Sequence, residues 1–230
     1  MDDHEDHDGG GSAPGNRSDD NKSGGGSAPG NRSDDNKSGG GSAPDSGSGN
    51  GSGDAGTGRQ RLLLIGGGSG TGKTTVGWEV SVILQRRGIA HCVLEGDHMD
   101  QVHPAPPGDP RRGGITERNV AAVWANYAAL GHRRLVYTNT VSVLEEDMLR
   151  RAMGGGDIGV TRILLTAGEA TVRARLAVRE TGSQLLPHVE RSLRTAVRLD
   201  AEAPAGTVRV ATDGRTVEEV AARVVAATGW

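Results

Sequence analysis

Gly67-Gly68-Ser69-Gly70-Thr71-Gly72-Lys73-Thr74 decides the reading of this chain. It follows the apolar run Leu62 to Ile65 and opens the helical pattern Thr74 to Arg87. The spacing is G-x-x-x-x-G-K-[ST], in the strand-turn-helix context that gives it meaning. Glycines let consecutive backbone N–H groups turn inward around an anion without Cβ clashes. The start of the following helix adds the positive end of its dipole. Lys73 brings an ammonium to the β and γ phosphates of a nucleoside triphosphate, and the Thr74 hydroxyl is a ligand for Mg²⁺. The bland alternative is a glycine-rich turn with no ligand. Eight matched positions in the right context favour phosphate binding by Gly67, Gly68, Ser69, Gly70, Thr71, Gly72, Lys73, Thr74 and Thr75, with ATP and Mg²⁺ as the cofactors implied.

Outward from this loop, strand and helix patterns alternate. Strands are expected at Leu62 to Ile65, Ala90 to Glu95, Leu135 to Thr138, Arg162 to Leu165 and Val208 to Ala211. Between them, Thr116 to Gly131, Val143 to Met153, Glu169 to Arg179 and His188 to Ala203 read as helices. Thr216 opens the last helix, with Glu219 three residues on in the capping-box position. Alternation of this kind implies parallel strands joined by right-handed crossovers, with helices on both faces. The expectation is a three-layer α/β domain with a five-stranded parallel sheet.

The chain on the other side of the loop is different in kind. From Asp2 to Asp54 there is no Val, Ile, Leu, Met, Phe, Tyr or Trp. Such a segment cannot bury enough apolar surface to offset backbone entropy, so residues 1–58 are expected to be a disordered tail and 59–230 the folded domain. SAPGNRSDDNKSGGG runs from Ser12 to Gly26 and again from Ser27 to Gly41. Stacked copies would bury nothing, which excludes a solenoid and leaves a linker or tail. His4 and His7 sit among carboxylates; a metal site and a solvated acidic end are the two readings, and the entropy of ordering the segment favours the second.

The formal net charge is −3, divided between an acidic tail and a mildly basic remainder. That suits a small anionic ligand and lacks the concentrated basic face expected for nucleic acid. Cys92 is the single cysteine, so no intrachain disulfide can form. With no apolar leader and no long apolar run, a soluble cytoplasmic protein without membrane partners is expected. The sequence says nothing of oligomeric state.

The second strand runs into Leu94-Glu95-Gly96-Asp97. Ligands of parallel sheets bind beyond the carboxyl ends of the strands, which puts Asp97 on the edge that carries the phosphate loop. Asp97 there is either a group that takes a hydroxyl proton or holds a Mg²⁺ water, or a plain helix cap. With GGGSGTGKTT, LEGD and ERNVAAVWANYAALG, the chain resembles the small P-loop kinases, and adenylylsulfate kinase most closely. Asn119 matches that family's helix, whereas Ala121 and Ala122 stand where it has paired arginines; Arg118 precedes the Asn and is the candidate substitute. Arg175 to Ser192 is similar to the lid of gluconate kinases, where arginines close over the phosphates. Arg175 and Arg179 share a helix face, His188, Arg191 and Arg194 follow, and the resemblance makes Arg179 the catalytic candidate beside Lys73 and Asp97. By the same resemblance, Asp213-Gly214-Arg215 borders the adenine.

The third strand ends Tyr137-Thr138-Asn139-Thr140, with no acid in the place of a Walker-B carboxylate. This weakens a motor or switch ATPase reading. His91 and Cys92 read as packing. His98 and His103 flank the acceptor side, and Pro104 to Gly114 is either a substrate-covering loop or a plain surface loop. The resemblance implies an ATP- and Mg²⁺-dependent transfer to a hydroxyl of a small molecule, through a P-loop fold with a small lid. The competing reading is a regulatory nucleotide-binding protein that hydrolyses ATP slowly or not at all.

Overall fold

The computed structural model describes residues 58–179 and 185–230; the repeat tail, with His4 and His7, lies outside the described residues. Five strands form one parallel sheet: β1 (Gln60–Gly66), β2 (Cys92–Glu95), β3 (Arg134–Thr138), β4 (Ile158–Thr166) and β5 (Val208–Ala211), in the order β2-β3-β1-β4-β5. The helices are α1 (Lys73–Arg86), α2 (Gly113–Ala129), α3 (Glu146–Ala152), α4 (Glu169–Arg179), α5 (Leu185–Glu202) and α6 (Val217–Thr228). β1 is central because its residues are apolar on both faces. Leu63 and Ile65 pack with Val76, Val80 and Leu84 of α1 and Val220 and Val224 of α6. Leu62 and Leu64 point the other way, to Val120 and Trp124 of α2 and Leu149 of α3. The period of two along the strand thus builds the two helical layers. Each fully buried Leu or Ile contributes about 1.5–3 kcal/mol relative to exposure.

The three-layer expectation holds, and most boundaries fall within a few residues. The capping box is present in full: Thr216 Oγ1 accepts from Glu219 N–H at 3.2 Å and Glu219 Oε2 accepts from Thr216 N–H at 3.0 Å. One helix differs. Val143 to Met153 is split into a 3₁₀ turn, Ser142–Leu144, and the short α3. Glu145 ends the first and caps the second through its backbone, while its carboxylate accepts two bonds from Asn139 Nδ2, at 3.0 and 3.2 Å. That tether to the end of β3 interrupts the helical path. Among the described residues, no helix is long and apolar enough to cross a membrane.

Candidate functional site

β1 ends at Gly66 and the chain turns through Gly67 into the loop. Gly67 has φ +146°, and a Cβ there would lie 2.6 Å from Leu165 O and 2.7 Å from Thr71 Oγ1. No other residue fits that turn. The loop is tied to the strands beside it, with Gly67 N–H donating to Thr140 O at 3.1 Å. Thr71 Oγ1 donates to Gly68 O at 2.8 Å, and Lys73 Nζ donates to the same carbonyl at 3.2 Å. Gly72, left-handed at φ 91°, caps α1.

Two helices outside the loop also hold it. Ser192 Oγ of α5 donates to Ser69 O at 2.7 Å. Arg175 of α4 donates to Gly70 O at 3.0 Å and, beyond the loop, to Thr212 Oγ1 at 2.9 Å and Thr212 O at 3.2 Å. Sequence reasoning missed both tethers, because they join residues more than a hundred positions apart.

Among the described residues, cavities open beside the loop. One, about 160 Å³, is lined by Ser69, Gly70, Gly72, Lys73 and Thr74, with Asp97, Thr140, Leu176 and His188 facing them. Another, about 150 Å³, is bounded by Thr71, Gly72 and Thr75 on one side and by Arg175, Thr212, Arg215 and Thr216 on the other. Arg215 borders this second cavity, and Asp213 accepts from Gly168 N–H at 3.0 and 3.1 Å. The Thr171 side chain and then the Gly168 N–H hold the Asp213 carboxyl below the usual range.

Asp97 lies in a 3₁₀ turn, Gly96–His98, whose N-cap is Glu95 and whose ends carry no side-chain cap bond. The Asp97 carboxylate therefore caps no helix there. Gly96 permits this close turn over β3: a Cβ would meet Tyr137 Oη at 2.3 Å and Asn139 Cβ at 2.8 Å. β3 does lie beside β1, and the residues after it are Asn139 and Thr140, so no acid follows it directly. The nearby carboxylate is Glu145. Burial, countered by the Asn139 bonds and reinforced by Asp100 and Asp97, raises its pKa above the ordinary carboxyl range. Among the described residues no group of three or more His, Cys, Asp or Glu side chains could hold a metal by itself.

Asn119 Nδ2 donates to Met99 O at 2.8 Å, so the matched Asn braces the β2–α2 connection. Arg118 is exposed on α2. Asp100, Gln101, Val102, His103 and Arg112 line an open hollow of about 320 Å³, with Arg112 the residue that the Pro104 to Gly114 segment contributes. His98 Nδ1 stands 3.9 Å from Glu95 Oε2. His91 bonds to Ser81 Oγ at 2.7 Å and Ile89 O at 2.8 Å, and Cys92 is buried, its thiol pushed up to about 12 by desolvation. Both also line an open hollow of about 420 Å³ with Trp78 and Tyr127. Arg179 is the last residue of α4, and its side chain lies outside the described residues.

No family model matches the chain, and no curated protein matches it. Solved structures do. A gluconokinase from Sinorhizobium meliloti 1021 is 20% identical, over 74% of this chain and 94% of its own, with a TM-score of 0.49. The tunicamycin resistance protein of Deinococcus radiodurans is 16% identical, over 74% and 96%, with a TM-score of 0.49. The Mycobacterium tuberculosis APS kinase CysC, in complex with AMPPNP and APS, is 17% identical, over 75% and 99%, with a TM-score of 0.42.

Proposed function

We propose that the domain is an ATP- and Mg²⁺-dependent phosphotransferase acting on a hydroxyl of a small molecule. The observation that carries this is the shared cavity: Lys73 and Thr74 of the phosphate loop line it together with Asp97. A nucleotide's phosphates would lie against the loop amides and the Lys73 ammonium. Its base would occupy the second cavity, between Thr75 and Arg215. The residues present fit a magnesium ion that arrives with the nucleotide: the Thr74 hydroxyl is a hard oxygen ligand, and the Asp97 carboxylate in the same cavity can hold a metal-bound water. When bound, the ion would neutralise charge between the β and γ phosphates.

The chain's own groups then have distinct tasks. Lys73 and the loop amides hold the phosphates in line. Asp97 accepts the acceptor hydroxyl proton as that oxygen bonds to phosphorus and the bond from phosphorus to the ADP oxygen breaks. The products are a phosphate ester and ADP, with the proton on Asp97. The missing paired arginines argue against adenylylsulfate as the acceptor. A carboxylate in an open cavity beside the phosphate loop leaves room for an acceptor hydroxyl, which is why the transferase reading is preferred over a purely regulatory one. The test is transfer of label from γ-labelled ATP to a panel of sugars, sugar acids, nucleosides and antibiotics. One member should become labelled by the wild type and none by Lys73→Ala. Label released only as inorganic phosphate, with every panel member unlabelled, would support the regulatory reading.

A further inference from the structure

The sequence suggests that arginines of α4 and α5 close over the phosphates. Arg175 is used elsewhere: its guanidinium is engaged by Gly70 O and by Thr212, beside the second cavity. Arg194 is exposed and pairs with Glu190 at 3.7 Å. The side chain that α5 brings to the cavity of Lys73, Thr74 and Asp97 is His188. Its aim is fixed by the helix. Ser192, four residues on and so on the same face, donates to Ser69 O in the phosphate loop. Val189 is fully buried against Val172 and Leu176 of α4, which holds α5 in rotation. The face of α5 that touches the loop is therefore the face that carries His188.

We infer that His188 binds the terminal phosphoryl group of the triphosphate; this rests on the phosphate-loop reading of Gly67 to Thr75. The cavity lies between the loop and Asp97, where the transferred group must sit. The base-side cavity has a different set of walls, without Lys73, Asp97 or His188. An imidazole N–H donates to a non-bridging phosphate oxygen, and Lys73 supplies the second donor from α1. The group so held is present in ATP and absent from ADP, which makes the inference separable from general nucleotide binding.

The experiment is calorimetric titration of the full chain with ADP and with AMPPNP, both with Mg²⁺, for wild type, His188→Ala and His188→Arg. Loss of one charge-assisted bond should weaken AMPPNP by about ten- to a hundredfold in His188→Ala, and leave ADP within about twofold. His188→Arg should recover most of the loss, because a guanidinium offers donors to the same oxygens. Equal weakening of both nucleotides, or of neither, overturns the inference while the phosphate-loop reading stands. A wild type that binds neither nucleotide overturns both.

Discussion

Replacing Arg175 by Ala removes one side chain that joins three parts of the fold. Its guanidinium makes three hydrogen bonds: to Gly70 O in the phosphate loop at 3.0 Å, and to Thr212 Oγ1 and O after β5 at 2.9 and 3.2 Å. A hydrogen bond with a charged partner is worth about 1.5–3 kcal/mol net when buried. Arg175 is only half-buried, water can reach the freed carbonyls, and the bonds share one side chain. The summed cost should therefore be about 2 kcal/mol rather than three times the single-bond figure. For a domain of this size that lowers Tm by roughly 4–8 °C. Because Arg175 and Thr212 also line the cavity proposed for the nucleotide base, ADP affinity should fall by about tenfold. Thermal unfolding followed by circular dichroism without nucleotide, then titration with ADP, reads both effects separately. Arg175→Lys should recover only part, since a single ammonium cannot span Gly70 and Thr212 with the same fork. A melt within about 1 °C of wild type, with unchanged ADP affinity, would refute the bracing role.

Two further outcomes follow from other parts of the molecule. Glu145 has its folded-state pKa raised, chiefly by burial. The folded state thus holds the proton more tightly than the unfolded one, so this group's contribution to stability falls as pH rises from the ordinary carboxyl range through the folded pKa. Glu145→Gln should raise the urea midpoint at pH 7, with the gain shrinking toward pH 4; an equal gain at both pH values, or a loss at pH 7, would contradict the assignment. Removing Met1 to Asp54 should leave Tm and ATP affinity nearly unchanged, because the segment has no apolar payload; a large loss of either would show that it docks on the domain.

The parts of the fold that could be read from the sequence are those governed by local chemistry. The apolar run of β1, the glycines of the phosphate loop and the Thr216–Glu219 capping box each carry their own signal within a few residues. Val143 to Met153 misled because its periodicity is helical throughout, while the break at Glu145 comes from a bond to Asn139 on another element. Arg175 misled in the same way. Its place on the face of α4 was legible, but its partner Thr212 lies 37 positions away, and no sign in the sequence marks one guanidinium as bonding to both Thr212 and Gly70. Asp97 was left open as cap or functional group. The tertiary turn at Gly96, which lies close over Tyr137, carries Asp97 with no side-chain cap bond at its N-cap, and Asp97 lines the same cavity as Lys73. Sequence spacing cannot measure such depth.

The most direct test of the account is Asp97→Asn, measured as AMPPNP affinity beside phosphoryl-transfer turnover on the acceptor found by the labelled-ATP panel. The amide keeps the size of the side chain and loses the charge that accepts a proton or holds a metal-bound water. Affinity should stay within about twofold, and turnover should fall by about 10²–10⁴-fold, the usual range for a general base. Turnover equal to wild type would contradict the central claim that the carboxylate opposite the phosphate loop takes part in transfer.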